Sequence, residues 1–288
     1  MRAREPDHAG HVECDGVKIG YEVFGDGAPT LLLLPAWTIV HSRFWKLQVP
    51  YLSQHFRVVT FDARGNGRSD RPAVVEAYGP RSLERDAVAV LDAVGVDACV
   101  LFSHCSAAQG ALLLAADHAE RVRGALFFSP ALPLTPPLPE RTGHPFDAAL
   151  PSYEGWAKAN RHYWAQDFRG YLEFFFDRCY PEPHSTKPFE DCVGWALETT
   201  HETLALTMEA PGLDEATIHD LLGRLRCPLL VIQGDEDLLT PPDRGAAFAL
   251  ATGAELVELD GVGHIPQVES FERTMGALRA FLAGTPVR

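Results

Sequence analysis

A handful of short apolar runs, bounded by turn residues and separated by stretches of helical spacing, constrains this chain more than any other feature. "TLLLLP" (30–35), "ACVLFS" (98–103), "GALFFS" (124–129) and "PLLVIQ" (228–233) are apolar on successive positions rather than alternate ones. A strand with one face in water alternates, whereas a strand apolar throughout is covered on both faces. "FRVVTFD" (56–62) and "AELVEL" (254–259) read as further strands, and "GVKIGYEVFG" (16–25) as a strand or hairpin arm ending at the turn "GDGAP". Between them, "SLERDAVAVLDAVGV" (82–96) places Val88, Leu91 and Val94 at helical spacing, with Ser82 as candidate cap. The alanine-rich "SAAQGALLLAA" follows the run at 98–103 almost at once. Strands of this kind alternating with helices predict an α/β fold with a doubly wound, mostly parallel sheet. In that class the functional loops gather at the carboxyl ends of the strands, here just after 35, 62, 103, 129, 233 and 259.

The alternation lapses from 132 to 220, where a proline-rich opening, "PALPLTPPLPERTGHP", leads into a segment crowded with Trp156, Tyr163, Trp164, Phe168, Tyr171, Phe174, Phe175 and Phe176. The expected organisation is a core of 1–131 and 221–288 with 132–220 inserted as a helical cap or lid. Its aromatics read first as a packing face. With 288 residues and 46% hydrophobic content, the chain can bury a full core unaided. The formal charge of −14 repels phosphate backbones and anionic bilayers, so neither nucleic acid nor membrane is an expected partner. The first sixteen residues lack the apolar stretch of a secretion signal, and the apolar run at 31–40 is broken by Pro35, well short of the ~20 residues a membrane helix needs. A soluble, cytoplasmic protein is expected.

Six widely spaced cysteines (Cys14, Cys99, Cys105, Cys179, Cys192, Cys227) form no CxxC pair and no zinc-site spacing, so reduced thiols are expected and no metal is implied. Cys105 stands apart. In "LFSHCSAAQG" (101–110) it lies where a strand runs straight into a helix, flanked two residues away on either side by the small Ser103 and Ala107. A nucleophile on a sharp strand-to-helix turn needs small neighbours there, because the chain doubles back closely. The helix beginning near Ser106 aims its first N–H groups at the corner, which favours a thiolate.

These residues carry a family resemblance. "SHCSAAQGALLLAADHAERVRGALFFSP" (103–130) resembles the α/β-hydrolase segment GHSxGGxxAxxxAxxxPERVxxLVLxxP without a gap, with Cys105 in the place of the serine. "VVTFDARGNGRSDRP" (58–72), "CPLLVIQGDEDLLTPP" (227–242) and "LVELDGVGHIPQVESFE" (256–272) resemble, in order, the family's yDxRGxGxSdxP loop, its acid loop and its closing GHxxxxExP loop. The resemblance implies a catalytic triad of Cys105 as nucleophile, His264 as base and Asp237 as acid, with Asp235 the competitor two residues earlier. It also implies an oxyanion hole from the backbone N–H groups of Ser106 and Trp37. The chain departs from the family pattern at Pro35 and Ala36, where most members have His-Gly, and in lacking glycine at 103, 107 and 108, which suggests a tighter or reshaped oxyanion region. His104 is expected to turn away from the pocket.

The implied activity is hydrolysis of a carboxylic ester, lactone or thioester through an acyl-Cys105 intermediate. Because that intermediate is a thioester, an acyltransferase, cyclase or carbon–carbon bond-cleaving enzyme with a second acceptor substrate is the alternative. A non-catalytic binding or regulatory module is a third reading, since "PAWTIVHSRFW" and "RGNGRSDRP" also resemble hydrolase-like domains found beside bacterial signalling cyclases. No phosphate-binding glycine loop follows a strand and no cofactor is implied. The acidic balance and the aromatic insertion lean toward a neutral or apolar acyl group, and oligomeric state is not set by the sequence.

Overall fold

A computed structural model describes residues 4–285 of the chain. Eight strands form a single sheet: β1 (His8–Cys14), β2 (Val17–Phe24), β3 (Thr30–Leu33), β4 (Arg57–Phe61), β5 (Cys99–His104), β6 (Val122–Phe128), β7 (Leu229–Gly234) and β8 (Glu255–Leu259). Their order across the sheet is β1-β2-β4-β3-β5-β6-β7-β8. From β4 onward every neighbouring pair is parallel, and only the β1–β2 and β2–β4 pairings are antiparallel. The helices are α1 (Gln48–Leu52), α2 (Pro80–Ala93), α3 (Ala107–Asp117), α4 (Arg161–Cys179), α5 (Thr186–Ala196), α6 (His201–Glu209), α7 (Glu215–Arg224), α8 (Asp243–Thr252), α9 (Pro266–Glu269) and α10 (Phe271–Gly284).

The apolar runs are explained by what covers them. Successive residues of β5 point to opposite faces: Cys99 and Leu101 join a core with Val90 and Leu91 of α2, Leu112 of α3 and Phe248 of α8. Val100 and Phe102 join a second core with Val49 of α1 and Leu278 and Phe281 of α10. Both cores are apolar, so the strand positions that face them are apolar on either side of the sheet. β1 is different. Its residues are half-buried or exposed, and it is held by backbone pairing to β2 at the sheet edge, so its sequence "HAGHVEC" carries no apolar signature.

The segment between β6 and β7 holds α4, α5 and α6 above the carboxyl ends of the strands. α4 is two helical pieces joined at Asp167, whose backbone is non-helical and whose carboxylate accepts from the Gly170 N–H at 2.8 Å. Position 220 falls within α7, whose buried Ile218, Leu221 and Leu222 belong to the same core as α2 and α3. α2 also differs from expectation. It begins at Pro80, not Ser82, with Gly79 at its N-cap in the left-handed region (φ 108°), so Ser82 lies inside the first turn rather than capping it.

Leu101 is fully buried at the centre of the sheet. Leu101→Ala is expected to cost about 2–5 kcal/mol of unfolding free energy, measured as a lower urea midpoint with an unchanged slope.

Candidate active site

β5 delivers Cys105 to a turn in which its backbone has φ 54°, the left-handed region that a side chain rarely occupies. Two hydrogen bonds hold it there: the Cys105 N–H donates to the Phe128 carbonyl at 3.0 Å, and its own carbonyl accepts from the Ala131 N–H at 3.0 Å. Strain of this kind costs about 1–3 kcal/mol and persists only where the surroundings over-determine it. Ser103 is fully buried, with its hydroxyl donating to the Leu126 carbonyl at 3.2 Å. The Ser106 hydroxyl and the Ala107 N–H both donate to the Ala36 carbonyl, at 2.6 and 3.1 Å. This locks the loop after β3 onto the start of α3 and sets the backbone of Trp37 beside that of Ser106. Among the described residues neither of those two N–H groups is engaged in a hydrogen bond.

The loop after β7 carries Asp237, and the loop after β8 carries His264. The His264 Nδ1 lies 3.0 and 2.9 Å from the two Asp237 carboxylate oxygens. The remaining capacity of the carboxylate is filled: Oδ1 accepts from the Leu239 and Thr240 N–H groups, both at 2.8 Å, and Oδ2 from the Gln233 side-chain amide at 3.0 Å. Burial alone would raise the Asp237 carboxyl. The His264 charge and these donors reverse that and hold it below the ordinary carboxylate range. Asp235, the competitor, instead accepts from the Gly261 N–H at 2.7 Å and braces the loop that leads to His264.

The Cys105 side chain is the imidazole's second acidic neighbour. Burial works against the imidazolium, but the Asp237 carboxylate and the Cys105 sulfur outweigh it and push His264 up to about 10. The structure therefore brings Cys105, His264 and Asp237 together, with Ser106 and Trp37 alongside. His104 does not line the cavity. Its ring stacks edge-on to His264 at 4.7 Å, and its Nε2, 2.9 Å from the His264 carbonyl, donates to it. Burial and the neighbouring His264 charge push His104 down to about 3, so it is a neutral prop.

Two supports escaped sequence reasoning. The Glu269 carboxylate accepts from the N–H groups of Gly263 (2.8 Å) and Ile265 (2.9 Å), the residues on either side of His264. The His264 N–H itself donates to the Cys179 carbonyl at the end of α4, 3.2 Å away. The quoted GHxxxxE spacing was the available signal for Glu269, whereas nothing local marks the contact with Cys179. Gly234, at the end of β7, has no room for a side chain, because a Cβ there would lie 2.1 Å from the Val262 carbonyl oxygen. The acid and base loops are thus pressed together.

A cavity of about 350 Å³ opens at Cys105. Trp37 walls it, with its indole N–H donating to the Thr207 hydroxyl of α6 at 2.8 Å. Of the aromatics counted in the inserted segment, only Phe175 lines the cavity. Trp164 and Tyr171 stack on each other at 4.5 Å within the helical layer, as a packing face would. At the far end the buried Arg64 makes a two-pronged pair with Asp86 (2.8 and 2.7 Å). Asp86 was detectable in principle as a carboxylate one turn before Val90 on the buried face of α2. Among the described residues no group of three or more His, Cys, Asp or Glu is placed to hold a metal ion, and no helix is long and apolar enough to cross a membrane.

Because His264 is raised from 6.5 when folded, its contribution to stability is complete below pH 6.5 and fades as pH climbs toward and through about 10. The thermal midpoint is expected to fall across that window in the wild type, and to fall much less in His264→Ala, when both are followed by calorimetry in buffers from pH 6 to 10.5.

A profile of the alpha/beta hydrolase fold matches residues 29–271. A 2-heptyl-3-hydroxy-4-quinolone dioxygenase of Rhodococcus erythropolis is 38% identical over 105 residues, 35% of this chain and 37% of that one. The chain thus spans well under half the length of that curated relative. A pimeloyl-[acyl-carrier protein] methyl ester esterase of Methylococcus capsulatus is 26% identical over 281 residues, 92% of this chain and 98% of that one. Among solved structures, that of Est816, described as an N-acyl homoserine lactone degrading enzyme, superposes with a TM-score of 0.77 and 28% identity, covering 94% of this chain and all of the other (100%). With the profile running from β3 to the start of α10 and the sheet order and strand-end loops as described, the chain belongs to the alpha/beta hydrolase fold family.

Proposed function

We propose that this protein is a cysteine hydrolase of carboxylic esters, lactones or thioesters, working through an acyl-Cys105 intermediate. The observation that carries the reading is the thiol of Cys105, held at a left-handed turn and facing a His264 whose other nitrogen is bound by the buried Asp237. A structural cysteine requires neither partner. The raised basicity of His264 equips it to take the thiol proton as the sulfur attacks. The match to an ester hydrolase along almost the whole chain supports the substrate class.

The sulfur attacks the acyl carbon, forming the S–C bond while the carbonyl π electrons move to oxygen. That oxyanion is met by the N–H groups of Trp37 and Ser106. As the tetrahedral adduct collapses, His264 gives its Nε2 proton to the departing alkoxide or thiolate, leaving a thioester. The now neutral imidazole then takes a proton from water, hydroxide adds to the thioester carbonyl, and Cys105 leaves as thiolate with the imidazolium restored. Asp237 stays ionised throughout, keeping the Nδ1 proton in place. We assign α4 to α6, within the 132–220 insertion, the role of a lid over this site.

Brief exposure to p-nitrophenyl esters and acyl thioesters is expected to add one acyl mass to the intact protein or to release nitrophenol, and Cys105→Ala is expected to abolish both. Asp237→Asn should lower kcat by roughly 10²–10⁴-fold with a folded protein. Turnover that survives in Cys105→Ala would remove the cysteine mechanism. Acyl products on added amines or thiols, formed faster than free acid, would assign acyl transfer instead.

A further inference from the structure

We propose that the end of the cavity remote from Cys105 is a subsite for an uncharged polar group on the acyl part of the substrate, formed by the Ser82 hydroxyl, the Gln109 side-chain amide and the first N–H groups of α2. The inference rests on the acyl-enzyme reading above and names the substrate class for it: acyl compounds with a hydrogen-bonding keto, amide or hydroxyl group several bonds from the scissile carbonyl.

α2 opens onto the cavity through Gly79, Pro80, Ser82 and Leu83. Its N-cap makes no side-chain hydrogen bond and its first turn holds no acid, so the partial positive charge of the helix end is left uncompensated by the protein. Ser82 is 4% exposed, lines the cavity and, among the described residues, has no hydrogen-bond partner for its hydroxyl. The hydroxyl is open to the cavity, so a group bound there can become its partner. Gln109 reaches the same space. Its carbonyl oxygen accepts from the Leu213 N–H at 2.7 Å, which fixes the amide, and its NH₂ has no protein acceptor among the described residues. Gln109 lies in the first turn of α3, four positions after Cys105, and both residues line the same cavity.

The charge preference is set by the pair beside it. Arg64 would invite an anion, but its guanidinium is gripped by Asp86 on two sides and also donates to the Ala77 carbonyl at 3.1 Å. The pair is neutral overall, and a carboxylate placed here would face Asp86. The cavity's other cation, Arg141, is held away from α2, at the Leu239 carbonyl and over the Trp156 ring, so the capacity left at the α2 end is dipolar: one hydroxyl, one amide and free backbone N–H groups, which suit a carbonyl or hydroxyl oxygen. Burial raises the Asp86 carboxyl, with Arg64 opposing, which marks this end as poorly hydrated and its hydrogen bonds as selective.

The test compares kcat/KM for three p-nitrophenyl esters of equal chain length: hexanoate, 5-oxohexanoate and the half-ester of adipic acid. The 5-oxo ester is expected to exceed hexanoate by about tenfold, the worth of one good hydrogen bond, and to exceed the anionic adipate half-ester as well. In Ser82→Ala the ratio of 5-oxohexanoate to hexanoate should fall to near one. A ratio serves as its own folding control, since both rates come from the same protein sample. Equal efficiency with the first two esters, a preference for the adipate half-ester, or a ratio unchanged in Ser82→Ala would overturn the subsite while leaving the hydrolase reading intact. Failure to turn over any of the three would overturn both.

Discussion

One strained residue organises this site. Cys105 sits in a backbone conformation that L side chains avoid, at the seam where a fully buried parallel strand becomes a helix. The strain is sustained because the flanking chain is tied on both sides, to the Phe128 and Ala36 carbonyls. That geometry lifts the thiol clear of the sheet and points the start of α3 at whatever binds it. The neighbouring loops take their positions from it: the loop after β3 hangs from Ser106 and Ala107, and Trp37 hangs from that loop.

The electrostatic half of the site is held with equal completeness. Asp237 has donors on both oxygens, so its charge is stabilised without water, and His264 is fixed through its ring, its carbonyl, its N–H and the N–H groups on either side. Desolvation offsets part of the attraction in a charged pair buried in this way. Its larger value is orientational. An imidazole held so firmly does not have to reorganise as charge develops around it.

How much of this was legible in the sequence follows from how local each signal is. The sheet was readable because doubly covered strands must be continuous apolar runs, and Cys105, Asp237 and His264 were readable because each lies within a few residues of such a run's end. β1 was not, because an edge strand held by backbone pairing needs no hydrophobic pattern. Ser82 was taken for a cap because a serine before an apolar helix usually is one, but Gly79 and Pro80 supply the start without it. Gln233 and Glu269 lie within a few residues of the groups they support, and only the GHxxxxE spacing hinted at Glu269; the carbonyl of Cys179 had no local signal, since folding alone brings it to His264.

The hydrogen bond from the backbone of His264 to the end of α4 ties two parts that a simple hinged flap would keep separate. Pro181, just past α4, also fills the space beside Gly263, so the carboxyl end of that helix cannot lift without disturbing the base. The opposite side of the roof is tied as broadly: the Trp37 indole N–H donates to the Thr207 hydroxyl of α6, the Thr199 hydroxyl to the Gly65 carbonyl at 2.6 Å, and the Asn66 amide to the Trp195 carbonyl at 3.4 Å. A roof pinned along both eaves acts as a fixed frame, and the register of base and thiol is built into the same contacts that hold the helices down.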